Sequence, residues 1–434
     1  MPTVAKSFIL SAPDAAAALL QKLPRPVHLL VAVSGGSDST GLLVALAEHR
    51  APGIDVSAAT VDHGLRPGSA AEALAVGQFC ARLNIPHKIL DWTGDKPKTG
   101  LSAAAREARY ALLCSAAEEA GATAIVSGHT IDDQRETIAM RSARAGGASV
   151  AGLSGMAEAV LLHRRHWLLR PFLRTRRSGI RDFLCQTGHG WFDDPSNADP
   201  RYERVRTRAM LASVEAGRPE EAVEAGERRR RLSEAAAKLL GEQARVDHAV
   251  LMHLQPAALA GNAAVLRYAL SAAAAVMGGR EQGPGSDSLD RVMEAVAAGR
   301  LERLTAGRVV FDLRRDGLFL CRESRRLPEI TLAAGESCLW DERFHVVQND
   351  TEPGHVGPMQ IDRQAAQALF PDVPVSIAQR ASRALPTALQ AAPVLAPYHR
   401  FLPQFDYELA VTLASLVGCD TFPLPPWNDS WRKR

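Results

Sequence analysis

A short polar stretch, SGGSDS at residues 34–39, follows directly after the apolar run VHLLVAV at residues 27–33. Gly35 and Gly36 allow a tight turn that presents backbone N–H groups, and a helix N-terminus behind such a turn attracts anions. Asp38 would repel a phosphate, so it indicates a Mg²⁺ ion that bridges this carboxylate and the phosphates. The stretch therefore predicts a phosphate site, with an ordinary helix cap as the alternative. The predicted contacts are Ser34, Gly35, Gly36, Ser37, Asp38 and Ser39.

Two carboxylates, Asp133 and Glu136, stand three residues apart in GHTIDDQRET at residues 128–137. On a helix this spacing places both on one face, where they can hold a substrate ammonium group. The alternative is structural, because acids in the first turn favour the helix dipole and Thr130 can cap the helix. His129 lies beside them in sequence and is a candidate base, with a structural role as its alternative.

Two further motifs carry side chains that suit a nucleotide. Arg106 and Arg109, in AAREARY at residues 104–110, are about one helical turn apart and share a face. They are either charged surface or contacts to phosphate. His63, in VDHGLR at residues 61–66, follows a predicted strand and is either a nucleotide contact or a residue of the turn.

Arginines are concentrated in the middle of the chain. Residues 164–181 contain seven arginines and no acid, and residues 201–208 add four more. Such patches are typical of binding to a phosphate backbone, and a solvated helix face is the alternative. The predicted nucleic-acid contacts are Arg174, Arg176, Arg177, Arg201, Arg204 and Arg206.

Strand and helix signals alternate over the first 190 residues. Continuous apolar runs predict strands, and longer amphipathic segments predict helices between them. This order predicts an α/β fold with an open parallel sheet, helices on both faces and ligands at the carboxyl ends of the strands. The strands are predicted at residues 27–33, 56–61, 87–90, 122–127 and 167–172, and the helices at residues 40–49, 70–83, 101–120, 132–145 and 176–187.

The pattern changes after about residue 210. We predict a catalytic domain over residues 1–210 and a mostly helical second domain over residues 211–325, with a hairpin near its end. Residues 326–434 are richer in proline and aromatics and predict a small α+β domain or an extended tail.

Composition narrows the class of protein. The chain has 434 residues, of which 46% are hydrophobic and 23% charged, as in globular proteins with sizeable cores. Its six cysteines are far apart without a CxxC pair, which argues against a disulfide framework and against a zinc or iron–sulfur site. The expected compartment is therefore the reducing cytoplasm. The amino-terminal stretch is too interrupted for a signal peptide, and no apolar run of about 18 residues predicts a membrane span.

Together the motifs resemble the PP-loop ATP pyrophosphatases, which cleave ATP to AMP and pyrophosphate by way of adenylated substrates. Within that superfamily they resemble the tRNA(Ile)-lysidine synthase family. The resemblance covers about residues 25–210, and beyond them only the layout matches. The family usually carries an asparagine between two arginines where this chain has Arg204-Val205-Arg206. The matching stretches are SGGSDS, VDHGLR, AAREARY, GHTIDDQRET and WFDDPSNADPRYER at residues 191–204.

The resemblance implies a role for each candidate residue. ATP and Mg²⁺ are implied at the loop, with Asp38 holding the ion and His63 contacting the nucleotide. Arg109 is implied to stabilise charge at the α-phosphorus, so Asp38 and Arg109 are the predicted catalytic residues. Asp133 and Glu136 are implied to bind the α-amino group of free L-lysine, which leaves its ε-amine to react. The arginine clusters are implied to bind tRNA.

The implied reaction joins lysine to C2 of the wobble cytidine of tRNA(Ile) with a CAU anticodon, through an adenylated tRNA. One rival is a PP-loop tRNA thiolase, which usually carries CxxC pairs. An amidotransferase-type synthetase is a second rival, but it needs a reactive cysteine near the amino terminus, and the first cysteine here is Cys80. A third is a non-catalytic RNA-binding protein, against which the intact Asp38 argues. The general base and the oligomeric state stay open, with a homodimer as one alternative.

Overall fold

The computed structural model describes residues 8–145, 154–193, 203–212, 220–388 and 390–427. The chain divides into two compact units. The first comprises Met1–Arg229 together with Pro423–Arg434, and the second comprises Arg230–Phe422.

The first unit alternates strands and helices, as the sequence predicts. Its strands are β1 (Val27–Ala32), β2 (Ile54–Asp62), β3 (His87–Asp91), β4 (Ala124–Ser127), β5 (Ala159–Leu162) and β6 (His166–Leu169). Its helices are α1 (Ala12–Lys22), α2 (Ser37–Glu48), α3 (Ser69–Arg82), α4 (Leu101–Glu119), α5 (Ile131–Ala145), α6 (Arg177–Gln186) and α7 (Glu203–Ala212). A 3₁₀ turn, Pro171–Arg174, precedes α6.

These strands lie in the order β5-β6-β4-β1-β2-β3. β1 runs parallel to both β2 and β4, and its residues Leu29, Leu30 and Val31 are buried on both faces of the sheet. That burial is why the strand reads as a continuous apolar run. Because the chain leaves β1 in one direction and returns at β4 on its other side, a crevice opens at the carboxyl end of β1.

One strand of this sheet was missed by the sequence analysis. β5 pairs antiparallel with β6, so the predicted parallel sheet is a mixed sheet with a parallel majority. His163 and Arg164 form the turn between the two strands, both with positive φ. No glycine, asparagine or proline marks this turn, and so it carries no local signal of a hairpin.

The second unit contains a five-stranded antiparallel sheet in addition to the predicted helices. Its strands are β7 (Ala244–Asp247), β8 (Leu251–Leu254), β9 (Arg303–Ala306), β10 (Val309–Arg314) and β11 (Gly317–Arg322), in the order β7-β8-β11-β10-β9. Its helices are α8 (Glu220–Gln243), which begins in the first unit, α9 (Pro256–Leu259), α10 (Ala263–Gly278) and α11 (Ser286–Ala297). The predicted hairpin is the β10–β11 pair.

The remaining elements of this unit are short. The strands are β12 (Ile330–Leu332), β13 (Ser337–Trp340), β14 (Phe344–Val347), β15 (Gly354–Val356), β16 (Ala391–Pro393) and β17 (Phe401–Pro403). The helices are α12 (Arg363–Leu369), α13 (Val375–Ser382), α14 (Ala396–His399) and α15 (Tyr407–Val417), the last preceded by a 3₁₀ turn, Gln404–Asp406. Trp340 and Phe370 pack with Phe319 of β11 in one apolar core.

The predicted domain boundaries at residues 210 and 325 stay predictions. In the described residues, no helix is both long enough and apolar enough to cross a membrane.

Candidate active site

The polar loop lies at the carboxyl end of β1, and its backbone requires glycine. Gly35 has φ +84°, and a Cβ on it would lie 2.9 Å from Cδ2 of Phe192 and 3.0 Å from Cγ2 of Val76. The backbone N–H of Phe192 donates to the Gly35 carbonyl oxygen at 2.9 Å. Gly36 is the N-cap of α2 and has no side chain that would take the place of a ligand. The loop therefore leaves the first N–H groups of α2 facing the crevice, as an anion site requires.

The hydroxyls of Ser34 and Ser39 bond within the loop, whereas that of Ser37 bonds Asp38. Ser39 Oγ accepts from the Ser34 N–H at 3.1 Å and donates to the Gly36 carbonyl oxygen at 3.2 Å. Ser34 Oγ lies 3.1 Å from the same hydroxyl. Ser37 Oγ donates to Asp38 Oδ1 at 3.1 Å. Ser34 and Ser39 therefore hold the loop in shape, and their predicted contact to ATP stays a prediction.

A second glycine brings the end of β4 against the loop. A Cβ on Gly128 would lie 2.5 Å from the carbonyl oxygen of Asp38 and 3.0 Å from the backbone N of Ser39. These are backbone atoms, which cannot turn aside as a flexible side chain can. Gly128 thus fixes the distance between the loop and the residues that follow β4.

We expect Gly128→Ala to destabilise the protein by about 1–3 kcal/mol, because the extra methyl group overpacks a close backbone contact. The displaced loop should also bind ATP more weakly. Urea unfolding and equilibrium binding of ATP measure the two effects. The matched control is Gly179→Ala on α6, where a Cβ would meet nothing within 4 Å. An unchanged ATP affinity in Gly128→Ala would contradict the expectation that the loop next to Gly128 binds ATP.

Asp38 stands in the first turn of α2, next to a cation from α6. Arg177 Nε donates to Asp38 Oδ2 at 2.8 Å. Burial raises the pKa of the Asp38 carboxyl, and Arg177 acts in the opposite direction. A carboxylate whose charge is disfavoured by burial gains from a bound cation.

Asp133 and Glu136 lie near the start of α5, which begins at Ile131, and Asp133 caps this helix. Its Oδ2 accepts from the N–H of Thr130 at 2.8 Å and from the Thr130 hydroxyl at 3.0 Å. Its N–H in turn donates to Thr130 Oγ1 at 3.3 Å, which completes a reciprocal cap. The second oxygen, Oδ1, points to the arginines described next. The structural alternative and the site are therefore compatible at this residue.

Three arginines lie on these two carboxylates. Arg204 donates from Nη2 to Asp133 Oδ1 at 3.0 Å and from Nε to Glu136 Oε2 at 2.6 Å. Arg208 Nε donates to Glu136 Oε1 at 2.8 Å, and Arg177 Nη2 donates to Asp133 Oδ1 at 3.1 Å. Burial would raise the pKa of Asp133, but Arg204 and Arg177 lower it overall. Arg208 belongs to the arginine cluster at residues 201–208 but was not among the predicted contacts, although it lies four residues after Arg204 and so on the same face of α7.

A second group of cations surrounds Tyr110 on α4. The guanidinium carbons of Arg106 and Arg109 lie 4.8 Å and 5.2 Å from the centre of its ring. Burial would raise the pKa of the Tyr110 hydroxyl, but Arg106, Arg170 and Arg109 lower it to about 8. Burial, and then Arg109, lower the pKa of His63, after β2. Burial and Arg170 lower the pKa of His129, after β4, with a smaller contribution from Arg109. The predicted catalytic arginine therefore lies near the ends of both strands.

One of the five tyrosines should accordingly titrate early. We expect a phenol absorbance change with a midpoint near pH 8, absent from Tyr110→Phe. Because the unfolded pKa is about 10, the stabilising effect of the ionised Tyr110 is complete above pH 10 and is lost as the pH falls through 8. Relative to Tyr110→Phe, the wild type should gain up to about 2 kcal/mol between these values. Urea unfolding at several pH values measures this gain, and equal slopes for both proteins would contradict it.

The two candidate histidines are held in different ways. His63 packs edge-on against Trp92 with ring centres 5.8 Å apart, and its buried Nδ1 has no partner in the described part of the chain. His129 Nδ1 lies 2.9 Å from Ser127 Oγ. Burial, and then Arg170, hold the pKa of His129 well below its usual value, so the ring is neutral at physiological pH. His129 as the general base stays a hypothesis.

Comparison with known proteins decides the family. Residues 13–215 match the PP-loop domain family. The chain is 41% identical to the tRNA(Ile)-lysidine synthase of Rhizobium meliloti, over 96% of this chain and 97% of that relative. This chain belongs to the tRNA(Ile)-lysidine synthase family. The tRNA(Ile)-lysidine synthase of Mesorhizobium japonicum is 40% identical over 95% of this chain and 97% of its own.

Solved structures offer a more distant likeness. The U34-tRNA thiolase NcsA from Methanococcus maripaludis, with its [4Fe-4S] cluster, is similar over 49% of this chain and 75% of that chain. The identity is 16% and the TM-score 0.41, too low to bear on the site. Membership of the tRNA(Ile)-lysidine synthase family confirms the resemblance, the PP-loop α/β fold and the prediction of an ATP-using ligase of tRNA processing. The individual residue assignments stay predictions.

The arginines predicted to bind tRNA lie in different surroundings in this family member. Arg174 Nε donates to the carbonyl oxygen of Phe8 at 2.8 Å and so holds the amino-terminal segment. Arg176 and Arg206 are exposed, whereas Arg177 and Arg204 lie on the carboxylates of α5. Arg201 lies outside the described residues, as does most of the predicted stretch at residues 191–204.

Proposed function

We propose that this protein joins L-lysine to C2 of the wobble cytidine in tRNA(Ile) with a CAU anticodon. ATP supplies the energy and leaves as pyrophosphate and AMP. The names of the relatives, which are tRNA(Ile)-lysidine synthases, support the proposed substrate. The arrangement of side chains in the site supports the proposed chemistry.

One observation supports the proposal most directly. A single guanidinium, that of Arg177, contacts Asp38 of the glycine loop at 2.8 Å and Asp133 of α5 at 3.1 Å. The anion site and the acidic pair therefore lie in one crevice, within reach of one small amino acid and one nucleotide. A ligase that activates with ATP and then uses an amine requires this proximity.

The proposed reaction has two steps. In the first, O2 of the cytidine attacks the α-phosphorus, and the bond to the β-phosphate breaks with release of pyrophosphate. The charge of Arg109 stabilises the negative charge that develops there. In the second, the ε-nitrogen of lysine attacks C2, the C2–O2 bond breaks, and AMP leaves with that oxygen. Asp133 and Glu136 hold the α-ammonium group, so only the ε-amine reaches C2. Its reference pKa is about 10.4, so it must lose a proton before attack.

The residues at the loop fit a Mg²⁺ ion. This ion is commonly held in proteins by one or two carboxylates together with substrate phosphates. Asp38 offers such a carboxylate beside the N–H groups of α2, and it already attracts the cation of Arg177. No three His, Cys, Asp or Glu side chains gather as a metal site within the described ranges. Asp38 would hold the proposed ion, and the ion would neutralise the charge of the ATP phosphates.

The thiolase alternative is less well supported. The six cysteines are all free, and burial raises the pKa of Cys80, Cys114 and Cys321 to about 11. Since the thiolate is the reactive form, these three side chains are poor sulfur nucleophiles at neutral pH.

Incorporation of labelled lysine into a tRNA(Ile) transcript, with ATP and Mg²⁺, tests the proposal. We expect label in the transcript with a CAU anticodon and none in a matched transcript with UAU. Each lysine incorporated should release one pyrophosphate and one AMP. ATP-dependent sulfur incorporation without lysine would contradict the proposal and favour a thiolase.

Binding to tRNA is proposed to depend on the exposed arginines, and so on salt. Affinity should fall steeply as the salt concentration rises, because each phosphate contact releases a counterion. A tRNA affinity that does not change with salt concentration would contradict this prediction.

A cytoplasmic location belongs to the same proposal, since ATP, lysine and tRNA meet there. A homodimer is one assembly open to the chain, and sedimentation equilibrium would decide it.

A further inference from the structure

Arg177 is placed between the two halves of the site. Its Nε donates to Asp38 Oδ2 at 2.8 Å and its Nη2 to Asp133 Oδ1 at 3.1 Å, while Nη1 lies 3.9 Å from Glu136 Oε1. One side chain thus donates to the carboxylate proposed for Mg²⁺ and to one of the two proposed for lysine, and it lies beside the other. Burial disfavours its charge, but these three acids raise the pKa of Arg177 above its usual value. It is a permanent cation held by the acids that the proposed ligands need.

The start of α6, which carries Arg177, contacts both helices that carry these acids. The Arg177 N–H donates to Asp132 Oδ2, at the start of α5, at 2.9 Å. One turn later, Ile180 of α6 packs against Gly41 of α2, where a Cβ would lie 2.3 Å from Cγ2 of Ile180. The start of α6 is therefore fixed on both sides. When ligands arrive, the guanidinium is the part that can change partners.

The proposed ligands compete with Arg177 for its partners. A Mg²⁺ ion on Asp38 would repel the guanidinium, since like charges a few ångströms apart interact strongly in a half-buried site. The phosphates next to that ion are favourable partners for an arginine. Binding of Mg·ATP therefore draws the guanidinium from the carboxylates toward the phosphates. Asp133 and Glu136 lose one positive neighbour and become a stronger site for an ammonium group.

We infer that Arg177 is a positioning residue through which bound Mg·ATP strengthens the binding of lysine at Asp133 and Glu136. The inference rests on the proposed function, because it uses the two proposed ligand sites. It adds an order to the reaction: lysine binds best once the nucleotide is in place. The coupling is reciprocal, so lysine must strengthen nucleotide binding by the same factor.

Calorimetric titration of lysine into the full-length protein tests the inference. The dissociation constant is measured alone and with saturating Mg²⁺ and α,β-methylene-ATP, which cannot release pyrophosphate. For the wild type we expect the nucleotide to lower the constant at least about fivefold, the lower end of typical coupling between sites. For Arg177→Gln we expect the dissociation constants of lysine without and with nucleotide to have a ratio near one. Without nucleotide, this variant should bind lysine more tightly than the wild type does. A merely structural role would weaken lysine binding instead.

Two further variants complete the test. Arg177→Lys keeps one charge but replaces the planar fork of donors with a single nitrogen. The ratio of its two dissociation constants should therefore lie between those of the wild type and Arg177→Gln. Arg82→Gln, at an exposed arginine at the end of α3, should keep the wild-type ratio. If Arg177→Gln does not fold, the ratio in Arg177→Lys decides, and a full wild-type ratio there overturns the inference.

The outcomes separate the inference from the proposed function. A wild type that binds lysine equally with and without the nucleotide overturns the inference and leaves the function standing. A ratio of dissociation constants in Arg177→Gln as large as that of the wild type also overturns the inference and leaves the function standing. A wild type that binds the nucleotide but never lysine overturns both.

Discussion

Asp38→Asn should lower the rate of tRNA-dependent pyrophosphate release by about 10²–10³, the range seen when one electrostatic contact to a developing charge is removed. The substitution keeps the shape of the side chain and its contact with Ser37, but it removes the charge that holds Arg177 and that is proposed to hold Mg²⁺. Because burial raises the pKa of Asp38, the neutral side chain should cost little or no stability. Pyrophosphate release and urea unfolding measure the two quantities.

The chain contains its own control for this variant. Gly285-Ser286-Asp287-Ser288 repeats the GSDS of the loop, and Asp287 is exposed in the first turn of α11. Asp287→Asn should therefore leave pyrophosphate release unchanged and have a small effect on stability. Equal losses of activity in the two variants would show that Asp38 acts only as an acid in the first turn of a helix and not as part of a nucleotide site.

Glu136→Gln should raise the KM for lysine about 10- to 100-fold, the effect of removing a charged hydrogen-bond acceptor. The first step, measured as pyrophosphate release, should change much less, because Asp38 and Arg109 are untouched. Glu136 is the better test of the acidic pair, since Asp133 also caps α5. A KM for lysine that stays at the wild-type value would remove Glu136 from the proposed lysine site.

The same variant has an expected effect on stability. The Glu136 side chain is 2% exposed and accepts from Arg204 and Arg208, which are 42% and 40% exposed. Losing one partner of a fully buried pair costs about 3–5 kcal/mol, but these arginines can return to water. We expect a loss of about 1–2 kcal/mol, measured by urea unfolding. Glu119→Gln, at an exposed pair with Lys88, is the matched control and should change neither quantity.

The two GSDS sequences show how much a local pattern can predict. Each begins a helix with glycine as its N-cap, and the cap residues Gly36 and Gly285 have nearly the same backbone conformation. The start of a helix was therefore predictable from four residues. Only the buried strand before residues 34–39, and the second glycine, distinguish a phosphate site from a cap. The predicted phosphate site therefore rests on the strand and the loop taken together.

The partners of the acidic pair could not be predicted in the same way. Arg177 lies 44 residues from Asp133 along the chain, and Arg208 lies 72 residues from Glu136. The sequence shows arginine-rich stretches, of which residues 164–181 contain no acid, and such stretches are also typical of a nucleic-acid surface. Their partners lie on another helix and are set by packing, which a charge pattern does not show. The assignment of Arg177 and Arg204 to tRNA stays a prediction.

The absence of side chains at Gly41 and Gly128 has a consequence for the kinetics of nucleotide capture. Gly41 allows α2 to pack closely against Ile180, and Gly128 allows the end of β4 to lie against the backbone of Asp38. The loop at residues 34–39 is therefore ordered when the protein folds. Binding of ATP then costs no further conformational entropy in this loop. Association with ATP should then be limited by diffusion and charge, with slow rearrangement of the backbone playing no part.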